Sequence, residues 1–208
     1  DWSSDVCSSD LEPFTIGAQA TSRGRVEKGD VAFILGAGTI GSTIVQFCRL
    51  KGAATIVCDI AQDNLNRAKT YGADYLINSR RENVADRVRA ITDGKGVMVA
   101  FDAACFQGSL TSLFAPGLVR NAGRIVTLGF TDKPESITQA MIAGRELDVI
   151  ASRLQSHKYP EVIRLFAEKE FKLEGLVTHR ISFRHIDQVF YHMDHPDPLV
   201  KKMMVVFD

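Results

Sequence analysis

Residues 31–35 read VAFIL, an unbroken apolar run of the kind expected for a strand covered on both faces. Similar runs recur at 54–58 (ATIVC), 97–101 (VMVAF), 124–128 (RIVTL) and 147–151 (LDVIA), with a more polar one at 74–78 (DYLIN). Between them the apolar positions open to a helical spacing. Ile40, Ile44, Phe47 and Cys48 fall on one face of a helix after the first run, and 62–71, 82–92, 110–119 and 137–143 read as further helices. Residues 12–24 form a leading helix that ends before the turn-like Glu27-Lys28-Gly29-Asp30. Strands alternating with helices imply right-handed crossovers, hence an α/β fold with a doubly wound, six-stranded parallel sheet.

After Ser152 the rhythm changes. Residues 159–168 and 186–193 read as helices, 177–183 as mixed and strand-like, and 202–207 as a closing strand. The expected division is therefore one domain over 12–151. Residues 152–208 form a tail that completes another domain begun elsewhere.

Composition narrows the function classes. The chain has 208 residues, with 25 basic and 25 acidic side chains and 45% hydrophobic residues. Balanced charge offers no general attraction to nucleic acid or to an acidic membrane surface, and no apolar run is long enough to span a bilayer. Cys7, Cys48, Cys58 and Cys105 have neither CxxC nor Cys/His ligand spacing, so they read as free thiols of a reducing, cytoplasmic compartment. The opening DWSSDVCSSDL (1–11) is polar and lacks the apolar core of a signal peptide. It reads as a translated sequencing adapter and is set aside from the fold.

The chemistry concentrates in Gly36-Ala37-Gly38-Thr39-Ile40-Gly41, directly after the first apolar run and opening a helix. Gly36 permits the tight turn, Gly38 lets a pyrophosphate approach bare backbone, and Gly41 lets helix and strand pack closely. The helix N-terminus then presents free N–H groups to the phosphates. Asp59 ends the second strand, where a carboxylate accepts hydrogen bonds from the adenosine ribose; its other reading is a helix N-cap. A 2′-phosphate would meet like charge there, and residues 60–64 supply no Arg or Lys, so the cofactor is expected to be NAD. Leu128-Gly129-Phe130 ends the fifth strand, where the nicotinamide is expected, although Gly129 also suits a plain turn. Asp102 reads as a loop or helix cap. His192 and His195 have helical spacing for a metal pair, but the DHPDP composition around them favours a solvated loop.

From Glu12 onward the chain resembles the zinc-dependent medium-chain dehydrogenases that act on alcohols and polyols. The resemblance is carried by Glu12-Pro13, GAGTIG, Asp59, Tyr71-Gly72-Ala73-Asp74, Ala122-Gly123-Arg124 and Leu176-Val177-Thr178-His179-Arg180. EPFTIGA, FDAAC and SRLQSHKYPEVI bring it nearer to the branch of sugar-acid, L-gulonate 5-dehydrogenase-like and starvation-sensing proteins. The resemblance implies a Rossmann domain followed by the C-terminal remnant of a GroES-like catalytic domain. It also implies NAD, and a catalytic zinc held by Cys and His-Glu ligands that this chain does not carry. Glu12 matches the family's glutamate beside the metal, direct or through water, and its alternative reading is a helix-capping acid supported by Pro13 at the first helical position. Ile40 matches a cofactor contact, and Arg153 an arginine reaching toward substrate or nicotinamide. Asn64 departs from the pattern, standing where sorbitol dehydrogenases carry an arginine near the ribose.

The leading reading is an NAD-dependent oxidation of a secondary alcohol of a polyol or sugar acid, in an enzyme that is zinc-dependent and homo-oligomeric at full length. Its partner is a small-molecule substrate, with no nucleic acid and no membrane, and this piece is expected to be inactive. A zinc-free quinone or enone reductase and an NAD(H)-binding redox sensor are the alternatives.

Overall fold

The computed structural model describes residues 8–195, 197 and 200–207. Cys7 and most of the segment set aside above lie outside them. In chain order the elements begin with α1 (Ser8–Arg23), β1 (Val31–Leu35), α2 (Thr39–Leu50), β2 (Ala54–Asp59), α3 (Gln62–Thr70) and β3 (Tyr75–Asn78). They continue with α4 (Val84–Ile91), β4 (Val97–Asp102), α5 (Ser109–Ser112), β5 (Val119–Thr127), α6 (Gln139–Ala143) and β6 (Asp148–Ala151). The tail holds α7 (Tyr159–Ala167), β7 (His179–Ser182), α8 (Ile186–Asp194) and β8 (Met203–Val206).

The six strands β1–β6 form one sheet in the order β3-β2-β1-β4-β5-β6, and every pairing is parallel. The order reverses between β1 and β4, which opens a crevice at their carboxyl ends, where ligands of open α/β sheets bind. The apolar runs are buried on both faces, as their continuity predicts. Ala32 and Ile34 of β1 join Ile44, Cys48, Leu65 and Tyr71 on one side, while Phe33 and Leu35 join Ile77, Val88 and Leu113 on the other.

Four expectations are corrected. The leading helix starts at Ser8, inside the segment set aside, and Leu11 packs against the third hydrophobic cluster. Pro13 therefore sits within the helix rather than at its first position, and Glu12 does not cap it. Helix α2 buries more than one face, with every residue from Gly41 to Cys48 enclosed, because α1 covers the side turned away from the sheet. At their crossing, a β-carbon on Gly17 would lie 2.4 Å from Thr43 Oγ1. The helix expected over 110–119 is only the four-residue α5, followed by the turn at Pro116-Gly117, where Gly117 takes φ +80° and Val119 already begins β5.

The tail also divides differently. Val162, Leu165, Phe166 and Leu176 are buried with Phe14 and Phe47 in a cluster that includes Phe171, so α7 belongs to the packing around α1 and α2. Beyond Leu176 the chain forms the parallel pair β7–β8 with α8 beside it. There Phe190, Tyr191 and Met193 are 60%, 60% and 65% exposed.

Candidate functional site

Gly36 leaves β1 at φ +96°, and a β-carbon there would sit 2.9 Å from the backbone of Ala104. Both facts require glycine. Its N–H donates to the Cys58 carbonyl at 2.8 Å, closing the turn against β2. Gly41, in the first turn of α2, is as tightly constrained: an added β-carbon would fall 1.9 Å from the Gly36 carbonyl oxygen. Gly38 differs. Its backbone is unremarkable at φ −70°, and nothing lies within 4 Å of where a β-carbon would be. Gly36 and Gly41 are thus needed by the fold, whereas the bare backbone of Gly38 faces open space.

Gly38 is also the N-cap of α2, with no side-chain cap and no acid in the helix's first turn. The first-turn N–H groups have no partner within a helix by geometry, so this terminus offers donors and positive potential to an anion. Beside it, Arg67 and Lys201 line a small recess with Ala37, Gly38, Thr39 and Ser42.

Asp59 sits one strand over. Its Oδ2 accepts from the Ala37 N–H at 2.8 Å, and its Oδ1 from the Ala61 N–H at 2.8 Å. The Asn64 amide donates to both oxygens at 3.1 Å. The N-cap of α3 is Ala61, so Asp59 is no simple cap of that helix; it ties the glycine turn to the start of α3. Gly36, Gly38, Asp59, Ile60, Arg80 and Phe106 are among the walls of a single cleft of about 1210 Å³. That exceeds the roughly 300–1,000 Å³ of an ordinary small-molecule pocket, and so leaves room for an extended ligand. Ile60 and Phe106 are 56% and 53% exposed, two apolar surfaces free for a flat ring.

The other candidates spread around this centre. Thr39 lines the recess, and Ile40 packs on the core. Leu128 lies at the carboxyl end of β5, its N–H donating to the Asp102 carbonyl at 3.3 Å. Gly129 has no left-handed backbone; a β-carbon there would meet Cys105 Sγ at 3.6 Å, an ordinary contact. Arg153 stacks on the 80% exposed ring of Phe130, 4.0 Å from its centroid, at the neighbouring end of β6. Next to it the buried Ser152 hydroxyl has no hydrogen-bond partner. Glu12 is exposed on α1, at the end of that helix where the Pro13 carbonyl accepts from Thr43 of α2.

Asp102 is buried and serves its loop, accepting from Ser109 Oγ at 2.7 Å and from the Cys105 N–H at 3.3 Å. Burial pushes the Cys58 thiol, in the cleft wall, up to about 12. His192 belongs to α8, its ring 6.0 Å from that of His179, while His195 stacks on Tyr191. Among the described residues no group of three or more His, Cys, Asp or Glu side chains converges on a point where a metal could be held, and Glu12 joins none. A zinc site of the kind implied by the family therefore finds no donor set among the described residues.

Sequence reading missed Arg80, Lys201 and Arg67, and marked Asn64 only as a departure from the family pattern, not as a partner of Asp59. Arg80 comes from the end of β3 and Lys201 from beyond α8, too distant in sequence for any local motif to signal. Arg80 also qualifies the cofactor argument, since a cation reaches the cleft even though residues 60–64 supply none.

Residues 39–168 match the family of zinc-binding dehydrogenases. The starvation-sensing protein RspB of Escherichia coli K12 is 34% identical over 203 residues, covering 95% of this chain and 58% of that protein. Sorbitol dehydrogenase of Bacillus subtilis is 30% identical over 174 residues, covering 83% and 49%. The crystal structure of RspB from Escherichia coli CFT073, complexed with cofactor NADH, superimposes with a TM-score of 0.84 at 32% identity, over 94% of this chain and 57% of that one. The chain thus spans about half the length of the relatives it matches.

Proposed function

Because the chain belongs to the zinc-binding dehydrogenase family, we propose that it binds NAD(H) along the carboxyl edge of its sheet, as the cofactor half of a polyol or sugar-acid dehydrogenase. The complete enzyme would oxidise a secondary alcohol to a ketone, with NAD⁺ accepting the hydride. The single observation that carries this reading is the pairing of Gly38 with Asp59: bare backbone at an uncapped helix N-terminus, and a fixed carboxylate one strand away. The Gly38 turn and α2 would take the pyrophosphate, with Lys201 adding charge. Asp59 would accept from the ribose hydroxyls, and Ile60 and Phe106 would flank the adenine. Leu128, Gly129, Phe130 and Arg153 would border the nicotinamide, and the Ser152 hydroxyl is a candidate partner for its carboxamide.

The relative named sorbitol dehydrogenase supports the polyol class. With no metal donor set among the described residues, no step through zinc is assigned to this chain, and it is read as binding without turnover. Titration calorimetry with NADH, beside a sorbitol oxidation assay followed by NADH absorbance, tests both parts. Weak NADH binding and no oxidation, with or without added zinc, are expected. Absence of binding would overturn the cofactor reading, and measurable turnover would overturn the reading of a cofactor half.

A further inference from the structure

Asn64 lies in the first turn of α3, yet it is only 7% exposed. Its amide nitrogen donates to both oxygens of Asp59, each at 3.1 Å. Its amide oxygen accepts from the Arg67 guanidinium at 2.6 Å. An amide has one donating end and one accepting end, so the arrangement has a direction. A flipped Asn64 would turn its carbonyl toward the Asp59 carboxylate and its amino group toward the guanidinium, exchanging two attractions for two repulsions. Arg67, three residues along the same helix face, thereby reinforces the orientation that the Asp59 carboxylate demands of Asn64.

The consequence falls on Asp59. Backbone N–H groups of Ala37 and Ala61 hold one oxygen each, and the Asn64 amide bridges both. The carboxylate cannot rotate without breaking these bonds. Arg67 meanwhile bonds the intervening amide, so it polarises the Asp59 contact while the carboxylate keeps its charge toward the cleft, where both Asp59 and Asn64 form part of the wall. A fixed anion penalises a 2′-phosphate; one free to swing would turn from the phosphate, and Arg80 in the same cleft would then favour it.

We propose that Arg67 and Asn64 act as positioning residues, a two-step relay that locks the Asp59 carboxylate and so sets the preference of this chain for a dinucleotide with a free 2′-hydroxyl over one with a 2′-phosphate. The proposal rests on the cofactor reading above. Its test is titration of the 208-residue chain and its variants with NADH and with NADPH, beside thermal melts. For Asn64→Ala the ratio of the NADPH to the NADH dissociation constant is expected to fall about tenfold, the scale of one hydrogen bond to a charged group. Arg67→Ala lowers the ratio in the same direction, and Arg67→Lys, which keeps a charged donor, restores it to within about threefold of the parent. Arg67 is half-buried, so Arg67→Ala carries the test alone if Asn64→Ala fails to fold.

A merely structural role would weaken both cofactors by the same factor while lowering the melting temperature, and that result overturns the relay. An unchanged ratio in Arg67→Ala overturns it as well, while leaving the cofactor reading intact. A parent chain that binds neither dinucleotide removes the cofactor reading itself, and the relay with it.

Discussion

Adding one methyl group at Gly38 or at Gly41 separates binding from folding, although the two glycines are three residues apart in one turn. At Gly41 the new carbon would sit 1.9 Å from the Gly36 carbonyl oxygen. Backbone stands on both sides of this contact, so α2 or the turn must move. Overpacking of this kind costs about 3 kcal/mol at the upper end of its usual range. Replacing a helical glycine by alanine returns about 1 kcal/mol. The net loss of about 2 kcal/mol lowers the melting temperature by about 4–8 °C in a chain of this size. At Gly38 no atom lies within 4 Å of the new carbon and φ is −70°, so the ligand-free protein has room for it. A poorer N-cap and a stiffer unfolded chain offset one another, leaving stability within about 0.5 kcal/mol of the parent. The methyl instead occupies the space proposed for the pyrophosphate. Losing one or two charge-assisted hydrogen bonds there weakens NADH binding about 10- to 100-fold. Circular dichroism melts and NADH calorimetry on Gly38→Ala and Gly41→Ala read the two effects separately. Parent-like NADH affinity in Gly38→Ala would refute the placement of the phosphates, and a parent-like melt in Gly41→Ala would refute the packing argument.

Further outcomes follow from the same geometry. Asp59→Asn keeps the shape and removes the charge, so NADH affinity falls about tenfold while NADPH is no longer repelled; paired titrations that leave the preference unchanged would remove Asp59 from cofactor choice. Burial pushes the Cys48 and Cys58 thiols from an ordinary value of 9.0 up to about 12. Unfolded thiols ionise near 9 while the folded ones stay protonated, so the stability this protects is whole below pH 9 and lost as pH rises from 9 toward 12. Melts across that range are expected to show a shallower decline in a Cys48→Ala/Cys58→Ala variant than in the parent, and parallel declines would contradict the burial argument.

Periodicity exposed the sheet because strands covered on both faces carry apolar residues at nearly every position, as in β1 and β4. It misjudged α2, since a stripe of Ile44 and Cys48 looks the same whether or not a second helix covers Phe47. It overextended α5, where composition suits a helix but Pro116-Gly117 turns the chain. It separated the whole tail from the domain, because nothing local announces that Phe166 and Phe171 meet Phe14 across the fold.

The candidate site divides along the same line. Gly36, Gly38, Gly41 and Asp59 were legible because the strand-turn-helix they serve is local, and the acid follows one crossover later at a nearly fixed interval. Arg80, Phe106 and Lys201 reach the cleft from three other parts of the chain, brought there by the strand order and by the docking of the tail. Sequence by itself determined the sheet, the glycine turn and the acid beside it, since backbone geometry and burial on both faces constrain neighbouring residues directly. Only tertiary structure decided which charges surround that acid and how firmly it is held, because those depend on contacts between segments whose spacing along the chain carries no periodic signal.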